Sequence, residues 1–130
     1  MATRDAERDL VEALSPLIPA VVDGLVHELV VSDAGSTDAT LAILDEAGAR
    51  MVEGGLDAAA AAAKGPWLLI VTPAARLPYD WIGPVKRMLE GGQGRARRLA
   101  RAGLFARTEA LLIPKADYLA GGRTGRRLKV

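Results

Sequence analysis

The stretch Val30-Val-Ser-Asp-Ala-Gly-Ser-Thr-Asp-Ala-Thr40 follows the apolar run Leu25 to Val31 and sets two acids, a glycine and four hydroxyl side chains within nine residues. The β-branched residues from Val26 to Val31, ended by polar turn formers, predict a buried strand. Ser36 or Thr37 is a candidate helix N-cap, Asp38 suits a first turn, Leu41, Ile43 and Leu44 form an apolar face, and Gly48 provides a stop. Strand, turn and helix in this order are the building unit of α/β domains. Capping alone accounts for Ser36, Thr37 and Asp38, so the stretch by itself leaves open whether it is also half of a binding site.

Upstream, Leu10, Leu14, Leu17 or Ile18, and Val21 recur at helical spacing, with Asp5, Glu7 and Asp9 at the start. An amphipathic helix over about 6–22 follows, bent near Pro16 and Pro19. Downstream come a short strand "ARMVEG", an alanine-rich helix "LDAAAAAAKG" and a strongly apolar strand "PWLLIVT". Helix and strand thus alternate three times between Asp5 and Thr72. That order predicts a three-layer α/β domain, a mostly parallel sheet with helices on both faces. Further on, the pattern predicts a helix from about Tyr79 to Glu90, a basic helix within "GGQGRARRLARAG", a strand at "ALLIP", a short helix closed by Gly121, and a disordered end.

The 130 residues suit a single domain with its own core. No segment reaches the ~18 to 20 apolar residues of a membrane span. The charged start "MATRDAERD" lacks the apolar segment of a secretory signal, and there is no cysteine for a disulfide or thiolate site. These features predict a cytoplasmic protein, either free or peripheral to the inner membrane. The net charge of +1 divides unevenly: residues 1–94 carry about −7 and the basic segment 95–130 about +8. Such a segment could meet phosphate, nucleic acid or an anionic membrane, although Phe105 and Tyr118 are its only candidates for base stacking.

In an open parallel sheet, ligands bind outside the carboxyl ends of the strands. Both "SDAGSTD" and "TPAARLP" fall at such ends. Asp33 can accept hydrogen bonds from a nucleobase imide or a ribose hydroxyl, and Gly35 allows close backbone approach. Ser36, Thr37 and the helix start after them could hold a phosphate. His27, the only histidine, lies within the apolar run and reads as a satisfied or edge residue rather than a base. A Walker loop, a Gly-x-Gly-x-x-Gly, a zinc spacing and a Gly-x-Ser-x-Gly are all absent from the sequence.

Taken together, "LVHELVVSDAGSTDATLAILDEAGARMVEGG" and "AAAAKGPWLLIVTPAARLPYDW" resemble the nucleotide-binding half of the family 2 glycosyltransferases, which have the GT-A, Rossmann-like fold. The resemblance covers roughly Ala6 to Trp81. It implies transfer of a sugar, with inversion, from a nucleoside diphosphate sugar of UDP type to an acceptor hydroxyl. By its position, Asp33 matches the family's first acid, which contacts the base, and Gly35, Ser36, Thr37 and Asp38 match the rest of that motif. The second acid of the family's Asp-Asp pair is Ala34 here. The metal-binding Asp-x-Asp, which holds Mn²⁺ or Mg²⁺ on the diphosphate, aligns with Thr72-Pro73-Ala74, so no metal is expected at this degenerate motif. Arg76 is the candidate to neutralise a diphosphate instead. The acid that would follow Gly121-Gly122 as catalytic base has no counterpart in "RTGRRLKV", which leaves the catalytic residue unassigned. The family's opening strand is expected to be missing, which would expose a sheet edge beside Val26 to Val31 and favour self-association. Two readings follow: a shortened glycosyltransferase, and a catalytically inactive nucleotide-binding or protein-interaction module of the same fold. A third is a basic-tailed binder of nucleic acid or anionic lipid.

Overall fold

The computed structural model describes residues 1–78, 80–92, 94–99 and 110–121, together with the backbone of 126–127. A first parallel sheet contains β1 (Ala2–Thr3), β2 (Val30–Asp33) and β3 (Arg50–Met51), with β2 in the centre. Helix α1 (Glu7–Leu14), a 3-10 turn (Ser15–Leu17) and α2 (Ile18–Val22) lie between β1 and β2. Pro16 and Pro19 each stand in the first positions of the piece they begin, where a missing N–H is tolerated. Their presence therefore divides the amphipathic segment without ending it. Helix α3 (Thr40–Glu46) joins β2 to β3, and α4 (Gly55–Ala62) leads from β3 into the second sheet.

The strand β1 corrects the expectation of a missing first strand. Ala2 and Thr3 pair in parallel with Ser32 and Asp33, so β2 has a neighbour on each side. The exposed edge beside β2, on which self-association was expected to rest, is thus occupied. The strand β2 also starts later than its composition suggests. The N–H groups of Leu25 and Val26 both donate to the carbonyl of Ala20 and close the end of α2, an arrangement that overrides the β propensity of Val26. His27 is exposed in this approach to β2 rather than held inside a strand.

The second sheet corrects the expectation of one mostly parallel sheet. Among the described residues its order is β4-β6-β5-β7, formed by Trp67–Ile70, Ala110–Pro114, Arg97–Leu99 and Arg126–Arg127. The β4–β6 and β5–β6 pairs are antiparallel, and only β5–β7 is parallel. Arg97–Leu99 thus forms a strand where a basic helix was expected, because Leu99 is fully buried opposite Ala110. Residues 100–109 lie outside the described part. Arg126 and Arg127 pair with Arg97 and Arg98, so these two residues are ordered where disorder was expected. Helix α5 (Ile82–Glu90) precedes β5, and α6 (Lys115–Leu119) follows β6. Tyr79, expected to begin α5, lies outside the described residues.

One hydrophobic cluster joins the two sheets. Leu10 and Leu14 of α1, Val31 of β2, Leu44 of α3, Trp81, Val85 and Met88 around α5, and Leu99 and Leu112 of the second sheet belong to it. Burying a side chain of this size stabilises the fold by about 1.5 to 3 kcal/mol relative to exposure. Leu68 and Ile113, paired across β4 and β6, instead join Ala60 of α4 and Tyr118 of α6 in a smaller cluster. Their strand neighbours Leu69 and Leu112 pack against the main cluster, so the apolar run of β4 reflects burial of alternate residues in two clusters. No helix among the described residues is long and apolar enough to cross a membrane.

Candidate functional site: a groove at the carboxyl ends of β2 and β3

Parallel pairing brings the carboxyl ends of β1, β2 and β3 to one rim, and Asp33 is the centre of its hydrogen bonding. The Thr3 hydroxyl, opposite Asp33 in the register, donates to Oδ1 at 2.7 Å. The Ser36 hydroxyl donates to the same oxygen at 2.6 Å. The N–H groups of Gly35 and Ser36 donate to Oδ2 at 3.1 and 2.8 Å. Gly35 has φ 85°, a left-handed conformation that lets the chain fold back over the carboxylate. Partial burial pushes the Asp33 carboxyl upward, but the donors from Ser36, Thr3 and Gly35 outweigh it and hold the pKa at about 2.

Ser36, Thr37 and Asp38 lock this turn to the loop between β1 and α1. The N–H of Asp5 donates to the Ser36 hydroxyl at 2.8 Å, and the Thr37 N–H donates to Asp5 Oδ1 at 2.7 Å. Asp5 itself has φ 42°, an uncommon conformation for a residue with a side chain. Beyond it, the two helix starts cap each other. Asp38 Oδ2 accepts from the first N–H of α1, at Glu7, while Glu7 Oε2 accepts from the N–H of Ala39 at the entrance to α3. Asp38 Oδ1 accepts from both the N–H and the hydroxyl of Thr40, and that hydroxyl in turn accepts from the N–H of Ala6. The Thr40 hydroxyl is the leading cause that lowers the Asp38 pKa.

Two expectations change as a result. Helix α3 begins at Thr40, so its cap is supplied by Asp38 and Glu7 rather than by Ser36 or Thr37. The N–H groups expected to hold a phosphate, at Ser36, Thr37 and the start of the helix at Ala39 and Thr40, already donate to the protein's own carboxylates. An incoming phosphate would have to displace these acids.

What remains open beside Asp33 is a groove of about 370 Å³ lined by Asp33, Gly35, Leu41, Met51, Val52 and Glu53. Leu41 and Met51 are large apolar residues with 47% and 44% of their surface exposed. Glu53 follows β3 and is exposed, and no hydrogen bond or ion pair engages its side chain among the described residues. Gly55, the first residue of α4, donates its N–H to the Ser32 hydroxyl at 2.9 Å and fastens the turn after Glu53 to β2. The groove therefore offers exposed apolar side chains and two carboxylates, of which that of Glu53 has no partner among the described residues. From sequence Leu41 reads only as part of an apolar helix face, and Met51, Val52 and Glu53 are not singled out. The strand-end rule applied to "ARMVEG" would have found Glu53.

The loop after β4 stands apart from this rim in character. Thr72 is exposed, and its carbonyl accepts from the N–H of Ala75 in a tight turn. A hard divalent cation needs oxygen ligands, preferably anionic, and Thr72, Pro73 and Ala74 offer one neutral hydroxyl among their side chains. This donor set does not fit Mn²⁺ or Mg²⁺. Among the described residues, no group of three or more His, Asp or Glu is arranged to hold a metal.

Arg76 has a structural task. Its Nη2 meets Asp9 at 2.8 Å and its Nε meets Glu12 at 3.2 Å, while Nη1 donates to the carbonyls of Pro73 and Ala75 at 2.8 and 2.9 Å. Through these contacts it clamps α1 to the loop after β4. The position after Gly121, where a catalytic base was sought, lies outside the described residues.

No protein-family profile matches the chain, and no curated protein matches it. Solved structures do. Glucosyl-3-phosphoglycerate synthase from Mycobacterium tuberculosis, in complex with Mn²⁺ and uridine-diphosphate-glucose, matches with 26% identity and a TM-score of 0.56. The alignment covers 75% of this chain and 40% of that one. The same enzyme in complex with phosphoglyceric acid matches with 27% identity and a TM-score of 0.54, over 75% of this chain and 40% of the other. A further mycobacterial protein matches with 28% identity and a TM-score of 0.53, over 75% of this chain and 38% of the other. The chain thus spans about two fifths of the length of the structures it resembles. In fold and in about a quarter of its aligned sequence it is similar to a glucosyltransferase.

Proposed function

We propose that this chain is a glycosyltransferase-like module that binds a nucleoside diphosphate sugar of UDP type through its nucleoside. The observation that carries the proposal is the groove at the β2 and β3 ends, where exposed Leu41 and Met51 flank Asp33 and Glu53. The apolar side chains suit the faces of a base, and the Glu53 carboxylate, which has no partner among the described residues, suits ring N–H or ribose hydroxyl donors. Asp33 and Gly35 contribute the rim, while Ser36, Thr37 and Asp38 hold it in shape. The structural neighbour solved with uridine-diphosphate-glucose makes that compound the first ligand to test.

Of the two readings of activity, the binding module without transfer is favoured by the loop at Thr72-Pro73-Ala74, whose side chains include no carboxylate for a diphosphate-bound cation. Transfer in the manner of a metal-dependent enzyme would need those ligands from other residues. Titration of the chain with UDP and UDP-glucose, with and without Mn²⁺, tests the proposal. Saturable binding that Asp33→Ala weakens, with little dependence on Mn²⁺, is the expected result. No binding at millimolar nucleotide would remove the nucleotide site. Release of UDP from UDP-glucose upon addition of an acceptor would replace the module reading with an active enzyme.

A further inference from the structure

We infer that Glu53 is the residue that reads the edge of the base, and that the groove selects bases with a ring N–H, such as uracil, over those with a bare ring nitrogen there, such as cytosine. The inference rests on the nucleoside-binding role proposed above and assigns within it a task that the sequence motif gives to Asp33.

A carboxylate has about four lone-pair sites. All four at Asp33 are engaged, Oδ1 by the hydroxyls of Thr3 and Ser36, and Oδ2 by the N–H groups of Gly35 and Ser36. A base that approached Asp33 would compete with donors that the fold itself fixes in place. Glu53 lines the same groove and has no such partner among the described residues.

The backbone that carries Glu53 is also held firmly. The next residue, Gly54, has φ 110°, and a side chain there would bring its Cβ within 2.9 Å of the Ala58 Cβ. Gly55 then bonds to Ser32. Glu53 is therefore presented from a fixed turn between the apolar Met51 and the start of α4, and Leu41 supplies a second apolar surface in the same groove. An ionised carboxylate accepts from an N–H with about twice the strength of a neutral acceptor. It is repelled by the lone pair of a base that presents an unprotonated ring nitrogen at the same point.

Calorimetric titration with UDP, CDP and N3-methyl-UDP tests the assignment, because N3-methylation replaces the ring N–H with a methyl group and keeps both ring carbonyls. Wild-type protein is expected to bind UDP at least about tenfold more tightly than either analogue, the effect of one charge-assisted hydrogen bond. Glu53→Ala should bring the three ligands within about twofold of one another, the spread left when that bond is gone. Asp33→Asn should lower affinity for all three alike. An unchanged circular dichroism melt of Glu53→Ala, expected for an exposed side chain, shows that the variant is folded. If Glu53→Ala keeps the preference for UDP, or if the wild type binds UDP and N3-methyl-UDP equally, the assignment to Glu53 is overturned while the nucleotide site stands. If the wild type fails to bind UDP at all, both the site and the assignment fall.

Discussion

Removing the Asp33 carboxylate should destabilise the fold through one buried hydroxyl more than through the loss of a charge. Asp33→Ala leaves four donors without their acceptor. Gly35 is exposed and Ser36 partly so, and water can take over their N–H groups. Thr3 is only 4% exposed, so its hydroxyl is left dry and unpaired. Such a group costs about 1 to 3 kcal/mol, and loss of the charge-assisted bonds raises the expected total to about 3 kcal/mol. Against the roughly 5 to 15 kcal/mol that holds a domain of this size together, that is a large fraction.

Thr3→Val, which keeps the β-branched shape, should cost about 1 kcal/mol alone, since Asp33 retains its other donors. In the Asp33→Ala background the same change should cost nothing or stabilise, because it removes the unpaired hydroxyl. The coupling between the two substitutions is therefore expected to be about 1 to 2 kcal/mol. Urea unfolding of the wild type, both single variants and the double variant measures it. With an m-value of about 1.5 kcal/mol/M, Asp33→Ala should move the midpoint by about 2 M. Additivity of the two changes within about 0.5 kcal/mol would refute the reasoning, since independent sites behave in that way.

The acid limb of stability should carry the same signature. The Asp33 pKa is about 2 in the folded chain, below the ordinary carboxylate value near 3.9, so the unfolded state takes up the proton first as pH falls. Its contribution is complete above about pH 4 and is lost as pH falls toward 2, amounting to about 1 kcal/mol after allowance for solvent at a half-exposed group. Asp38 is lowered in the same direction, and urea midpoints of Asp33→Ala between pH 2 and 5 should vary less than those of the wild type. Arg76→Ala should cost about 1 to 2 kcal/mol, mainly from its carbonyl contacts because Asp9 and Glu12 are exposed, and should leave UDP affinity within about twofold. A tenfold or larger loss of UDP affinity would return Arg76 to the phosphate. Gly54→Ala should lower the melting temperature by several degrees, since φ 110° and the approach to Ala58 together store about 1 to 3 kcal/mol of strain; an unchanged melt would show that the turn relaxes freely.

The elements legible in the sequence are those whose apolar pattern is local. Trp67–Ile70 and Ala110–Pro114 are runs with few other readings, and the spacing of Leu10, Leu14 and Leu17 marks its helix without help from the rest of the chain. Those that were not legible are set by distant partners. Ala2–Thr3 is a strand because Ser32 and Asp33 lie beside it, and two residues carry no periodicity of their own. Arg97–Leu99 has the composition of a helix and becomes a strand through pairing with β6. The antiparallel direction of β4 against β6 is likewise a property of the pairing and has no local signature. The site divides in the same way. Asp33 could be found from its motif, but the Thr3 hydroxyl that occupies it comes from 30 residues away, and the acids that engage Arg76 from 64 and 67 residues away.

The motif that looks most like a phosphate cradle therefore works here as masonry. Asp33, Asp5, Glu7 and Asp38 fill the N–H positions around both helix starts, and they do so because two loops must be joined where parallel strands end together. A rim already lined with carboxylates repels a diphosphate, and the N–H groups that could hold one are taken by those acids. Charge stabilisation of a departing diphosphate is a separate requirement, and the loop at Thr72-Pro73-Ala74 brings no anionic ligand with which to hold a cation for it. Recognition and transfer make different demands on different strand ends: beside the ends of β2 and β3 lies a groove in which Glu53 has no partner among the described residues, while the end of β4 is a turn clamped to α1 by Arg76.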